Sequence, residues 1–351
     1  MSQHGVLTYR EISAQPEALA AALDEVKRRK EDILRFRERA AQGEVLFIGS
    51  GSSYYQAQTM AATVRKWTGL SARALPSSEL YLFREHHASV SKPCTVVGVS
   101  RSGESSEVIL ALESVQNLPG WNICGVTCHE TSALYRMAPC LLSPLGKEQS
   151  TVMTKSFSSM TYMVQAAAAV ASEQAEHYEQ IVEAGSLSAD VTRKADAFAK
   201  KLTENPLYTN YLFLGMGAYF GLAQEACLKL KEMSYVWTES FGTMEFRHGP
   251  KSVVEKGSFV CVLVSERARS HELKVAEEMK QYGATVLLVT AKAGEDTAFA
   301  DHVFETGGES LSDEARSVLY LPLLQYFGYY TAMKKGVDPD HPRNLTQVVK
   351  I

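Results

Sequence analysis

Short, unbroken apolar runs recur along the chain: VLFIG from Val45, TVVGV from Thr95, FVCVLV from Phe259 and TVLLV from Thr285. Apolar runs without polar alternation fit strands buried on both faces of a parallel sheet. Between them lie stretches of helical spacing. QPEALAAALDEVKRRKEDILRFRERAA, Gln15 to Ala41, predicts one long amphipathic helical region. VQAAAAVAS, Val164 to Ser172, predicts a buried helix, and Asp190 to Leu202 a connecting helix. Alternating strand, turn and helix place the chain in the α/β class.

The pattern occurs twice. VLFIGSGSSYYQAQ from Val45 aligns with YLFLGMGAYFGLAQ from Tyr211 at an offset of 166 residues. TVVGVSRSGESSE from Thr95 aligns with VCVLVSERARSHE from Val260 at 165, and NICGVT from Asn122 with TVLLVT from Thr285 at 163. Three apolar strands in the same order at nearly constant offset indicate an internal duplication. The expected organisation is two doubly wound units, each a parallel sheet flanked by helices. A helical extension occupies residues 1–43, the units 44–180 and 205–335, and a tail 336–351. In such sheets ligands bind beyond the carboxyl ends of the strands, where the Gly-x-Gly and serine-rich turns fall.

Composition narrows the class. With 351 residues and 45% hydrophobic content the chain can form two medium-sized cores. A formal charge of −4 argues against nucleic-acid binding but leaves room for a local anion site. No apolar run is long enough to span a membrane, and MSQHGVLTYREI lacks the apolar core of a signal peptide. The six cysteines are scattered. Cys124 and Cys128 lack a second ligand pair, so reduced thiols in a cytoplasmic protein, with no metal, are expected.

Three motifs carry chemistry. GSGSS, Gly49 to Ser53, lets backbone approach a ligand at a helix N-terminus, although a plain strand-to-helix turn also accounts for it. It lacks the third glycine of a dinucleotide fingerprint, and a dehydrogenase reading would rest on Gly-x-Gly alone. SRSGESS supplies the hydroxyls of Ser100, Ser102, Ser105 and Ser106 and a turn able to cradle an anion, with Arg101 facing either the anion or solvent. Its duplicate, SERARSHE, has lost the glycine, so phosphate binding is assigned to the first copy. In EACLKLKEMSYVWTESFGTMEFRHGP, Glu225, Lys229 and Glu232 fall on one helical face, either a solvated stripe or charges directed into a site. The apolar neighbours Cys227, Leu228, Leu230 and Met233 favour the second reading. A buried carboxylate beside a lysine is prepared to act as a general base. His248, in the turn RHGP, is a possible second acid–base group.

GSGSSYY, SRSGESSE, TKSF (Thr154 to Phe157), LGMG, EACLKLKEMSY, EFRHGP and HPRNL (His341 to Leu345) occur in an order that resembles the tandem sugar isomerase (SIS) domain family. The resemblance covers residues 40 to 351. It extends to the isomerase half of glucosamine-6-phosphate synthase and to stand-alone amino-sugar or fructosamine 6-phosphate deaminases and deglycases. It implies a phosphosugar substrate held by Gly51, Ser52, Ser53, Ser100, Arg101, Ser102, Ser105 and Thr151, and no cofactor. It further implies Glu232 as the base moving a proton between C1 and C2, Lys229 as its charged neighbour, and His248 as the ring-opening group supplied by a neighbouring subunit. A homodimer with shared active sites follows, with higher oligomers left open. The chain departs from the synthase pattern at Gln347, where a tail lysine is expected, and at Met153, where a serine is expected. The glutamine-hydrolysing segment is also not found, so the expected activity is a deaminase, deglycase or isomerase without glutamine hydrolysis. The rival expectation is a non-catalytic phosphosugar sensor.

Overall fold

A computed structural model describes residues 4–351. The first unit contains a five-stranded sheet: β1 (Glu44–Gly49), β2 (Ser71–Pro76), β3 (Cys94–Val99), β4 (Trp121–Thr127) and β5 (Cys140–Leu142). The second contains β6 (Asn210–Leu214), β7 (Thr238–Phe241), β8 (Ser258–Leu263), β9 (Thr285–Thr290) and β10 (His302–Glu305). The sheet orders are β2-β1-β3-β4-β5 and β7-β6-β8-β9-β10, and every pairing is parallel. The two orders are the same permutation, which supports the duplication read from the sequence.

β3 and β8 are buried at every position, which explains their unbroken apolar sequences. Each Val, Leu or Ile taken from water in these strands contributes about 1.5–3 kcal/mol.

The helices are α1 (Val6–Ser13), α2 (Gln15–Arg28), α3 (Lys30–Ala40), α4 (Ser52–Thr68), α5 (Ser77–Leu82), α6 (Arg84–His87) and α7 (Ser106–Glu113). They continue with α8 (Ala133–Met137), α9 (Lys155–Ala171), α10 (Ala175–Leu202), α11 (Phe220–Ser234), α12 (Arg269–Gln281), α13 (Asp313–Arg316) and α14 (Leu321–Lys334). Two differ from expectation. The predicted helix from Gln15 to Ala41 is divided at Arg29, whose φ of −98° and ψ of 13° leave the helical region without a Gly or Pro to signal it. The predicted connecting helix begins at Ala175, because Gly185, a helix-weakening residue, lies inside α10. A Cβ at Gly185 would stand 2.5 Å from the Tyr162 hydroxyl of α9, which itself donates to Ile181 O at 2.7 Å. Gly185 therefore permits close helix packing.

The duplicated helices α4 and α11 meet near a pseudo-twofold axis. Gln58 donates to Gln224, its own duplicate, and Thr59 Oγ1 donates to Ala218 O at 2.9 Å. A Cβ on Gly221 would lie 2.3 Å from Tyr55 O, so the helices touch through backbone. This contact carries the start of α4 to the middle of α11, where the site forms.

Candidate active site

β1 and β3 are neighbours, and the chain leaves them in opposite directions along the sheet, toward β2 and toward β4. Their carboxyl ends are the switch point at which sheets of this order bind ligands. After β1, a Cβ at Gly49 would lie 2.4 Å from the Ser53 carbonyl carbon, so only glycine lets α4 begin so close to the strand. Gly51 follows with φ 57° and ψ −128°, unfavourable for residues with a Cβ. Ser52 and Ser53 then open α4, both buried.

After β3, the loop from Ser100 to Ser105 folds over its own hydroxyls. Gly103 N donates to Ser100 Oγ at 3.1 Å, Glu104 N donates to Ser102 Oγ at 3.1 Å, and the Ser100 and Ser105 hydroxyls are 3.3 Å apart. Gly103, at φ 65°, packs so tightly that a Cβ would be 2.1 Å from Ser132 Oγ. Among the described residues the backbone N–H groups of Arg101 and Ser102 have no acceptor. The loop thus offers amides and hydroxyls at the start of α7, an arrangement suited to an anion.

Arg101 does not enter that cradle. Its guanidinium is buried, 3.3 Å from Glu148 Oε2, and donates to Thr151 O at 3.1 Å and Gln347 O at 3.0 Å. Thr151 is half-buried, and its N–H donates to Asp340 O at 3.0 Å. Glu148 also accepts from the N–H and hydroxyl groups of Thr154 and Ser156. Arg101 and Glu148 together fasten the 148–156 segment and the tail to the serine loop. Met153 Sδ lies 4.0 Å from the Ser53 hydroxyl.

The tail crosses the same region. Arg343 N donates to the Tyr235 hydroxyl at 2.8 Å, Gln347 Nε2 donates to Gln149 O and Ser150 O at 2.9 Å each, and Ser106 N donates to Val349 O at 3.3 Å. Gln347, at the position of the expected lysine, is held by two backbone carbonyls.

On α11, Glu225, Lys229 and Glu232 form one cluster. Glu225 and Lys229 are each 1% exposed, and the Glu232 side chain is 18% exposed at the cluster's open end. Lys229 Nζ lies 3.4 Å from Glu225 Oε1 and donates to Glu232. Ser52 Oγ, from the first unit, donates to Glu225 Oε1 at 3.1 Å, while Glu225 Oε2 is buried without a partner among the described residues. Burial pushes the Glu225 carboxyl up to about 8, against the opposing attraction of Lys229. Burial acts to lower the Lys229 ammonium, but Glu225 and Glu232 outweigh it and the net direction is up. Burial thus favours the neutral carboxyl at Glu225, while its acidic neighbours favour the charged ammonium at Lys229.

The second unit shows why only one copy keeps an open cradle. After β8, Ser265 N and Oγ donate to Glu272 Oε2 at 2.7 and 2.8 Å. Glu266 N and Arg267 N donate to Asp313 at 2.9 and 3.3 Å. Two internal carboxylates occupy the position of an anion. Glu107, the counterpart of Glu272, makes no side-chain hydrogen bond among the described residues.

The structure therefore brings Ser52, Lys229 and Glu232 together, and gathers Ser100, Ser102 and Ser105 in the neighbouring loop. His248 is exposed at the end of a 3-10 turn after β7, with no side-chain hydrogen bond among the described residues. Glu225 was visible in the sequence only as part of a charged face, and Glu148 carried no signal because its partners come from distant segments.

The SIS domain model matches residues 40–170 and 209–318. The glutamine–fructose-6-phosphate aminotransferase of Sulfurisphaera tokodaii is 28% identical over 347 residues, covering 97% of this chain and 56% of that protein. The chain spans about half the length of the curated relatives it matches. The crystal structure of glucosamine-6-phosphate deaminase from Thermotoga maritima superposes with a TM-score of 0.78 at 27% identity, covering 98% of this chain and 99% of that one. Tagatose-6-phosphate ketose/aldose isomerase from Escherichia coli superposes with a TM-score of 0.85, over 97% of this chain and 98% of that one, and at 23% identity shows a shared fold. With two matched segments coinciding with the two sheets, the chain belongs to the SIS domain family.

Proposed function

We propose that the chain is a sugar-phosphate isomerase or deaminase acting on an amino-sugar or fructosamine 6-phosphate, as a deaminase or deglycase. The observation that carries this reading is the buried Glu225–Lys229–Glu232 cluster joined through Ser52 to the switch point that holds the open anion cradle. Similarity to a glucosamine-6-phosphate deaminase over nearly the whole chain supports it.

In this reading the sugar phosphate lies against the Arg101 and Ser102 amides and the Ser100, Ser102 and Ser105 hydroxyls, with Gly51, Ser52 and Ser53 as the second wall. Arg101 and Thr151 act by positioning the loop and tail. The Glu232 carboxylate, at the open end of the cluster, takes the proton from C1 or C2 and returns it to the other carbon. Lys229 fixes the orientation of Glu232, and protonated Glu225 supplies a neutral hydrogen-bonding wall. His248, exposed in its own chain, serves the site of a second copy and opens the sugar ring there. Once the proton has shifted, the C–N bond becomes that of an imine, and water releases the amine.

The test is incubation with glucosamine 6-phosphate and with a fructosamine 6-phosphate, following free amine and the sugar product. Amine should be released from one of them, and Glu232→Gln should reduce turnover by about 100-fold or more. If neither substrate is consumed while phosphosugars raise the melting temperature, the enzyme reading fails and a sensor replaces it.

A further inference from the structure

A cavity of about 420 Å³ lies between α3 and the face of the first sheet, and shares no residue with the serine loop or the Glu225 cluster. Protein interiors seldom contain voids larger than a water molecule, whereas ligand pockets begin at about 300 Å³. The cavity has a structural cause. Its floor is Phe47 and Val97 of the sheet, its roof Ile33 and Phe36 of α3, and one wall is Ala167 and Ala168 of α9. The alanine run of α9, unremarkable as a buried helix in the sequence, leaves the sheet face unfilled because each residue offers only a Cβ.

The mouth is basic. Arg29, Arg35, Arg37 and Arg39 line it together with Asp32. Arg29 and Arg35 pair with Asp32, Arg35 also lies 3.9 Å from Glu31, and Arg37 pairs with Glu173, the first residue beyond α9's C-cap. Arg39 is exposed, and its guanidinium has no hydrogen bond or ion pair among the described residues. An apolar chamber with the unpaired guanidinium of Arg39 at its mouth matches an amphipathic anion. The chamber is half open, a slot between a sheet and a helix, and its volume of about 420 Å³ suits a slender chain rather than a folded partner.

We propose that this cavity binds a single-chain alkyl carboxylate, with the chain along the sheet face and the head group at Arg39. The probe is laurate, titrated calorimetrically below its micellar concentration into the full chain, with dodecanol as the uncharged comparison. One laurate per chain is expected, with dodecanol about tenfold weaker or more. Ala168→Phe fills the chamber and should abolish binding, and Ala167→Leu provides a smaller filling change if the first variant does not fold. Arg39→Gln, on the surface, should weaken laurate about fivefold with an unchanged melting curve. Absence of laurate binding, binding unaltered in the filled variants, or equal affinity in Arg39→Gln would each overturn the proposal.

Discussion

Replacing Glu225 by Gln tests the electrostatics of the cluster. The substitution preserves shape and removes only the ability to ionise. In the folded chain burial holds the carboxyl at about 8, and in the unfolded chain it returns toward 4.5. Between those values the folded state keeps a proton that the unfolded state releases. Stability is then fullest below the unfolded value and falls as pH rises, levelling off above the folded value. One pH unit corresponds to 1.36 kcal/mol, so between pH 5.5 and 8 this group removes about 3 kcal/mol. The Gln variant lacks that slope. For a chain of this size 3 kcal/mol corresponds to about 4 °C in melting temperature. Thermal unfolding of both proteins at pH 5.5 and 8 measures the double difference. The variant should gain about 4 °C relative to wild type on going to pH 8. An identical difference at both pH values would refute the reasoning and show Glu225 to be ionised in the fold throughout.

Two further outcomes follow from the loops. Arg101→Met leaves Glu148 buried without its cation, which should cost about 3 kcal/mol and lower the melting temperature by about 4 °C; an unchanged melting curve would remove the strut role. Because Glu272 and Asp313 occupy the second cradle, calorimetric titration with fructose 6-phosphate should give one site per chain, and two equivalent sites would contradict that reading.

The duplication, the strand positions and the α/β class were legible because β3, β8 and β9 carry unbroken apolar runs and the glycine turns repeat in register. The first half of α10 was not, since Gly185 answers to Tyr162 of another helix and local pattern cannot show that. The Glu225 cluster was partly legible from helical spacing. Its apolar neighbours signalled burial, but the partner that encloses it, Ser52, is 173 residues away and gave no local sign. Arg101 was ambiguous between anion and solvent, and the structure gives it a third environment made by Glu148 and two distant carbonyls.

The central claim is that Glu232 moves a proton between adjacent sugar carbons. Proton NMR in D2O measures it directly, with enzyme added separately to fructose 6-phosphate, glucosamine 6-phosphate and a fructosamine 6-phosphate. The account predicts deuterium at C1 or C2 in at least one sample, with exchange lost in Glu232→Gln. Exchange that persists at the wild-type rate in Glu232→Gln, or no exchange in any sample, would contradict it.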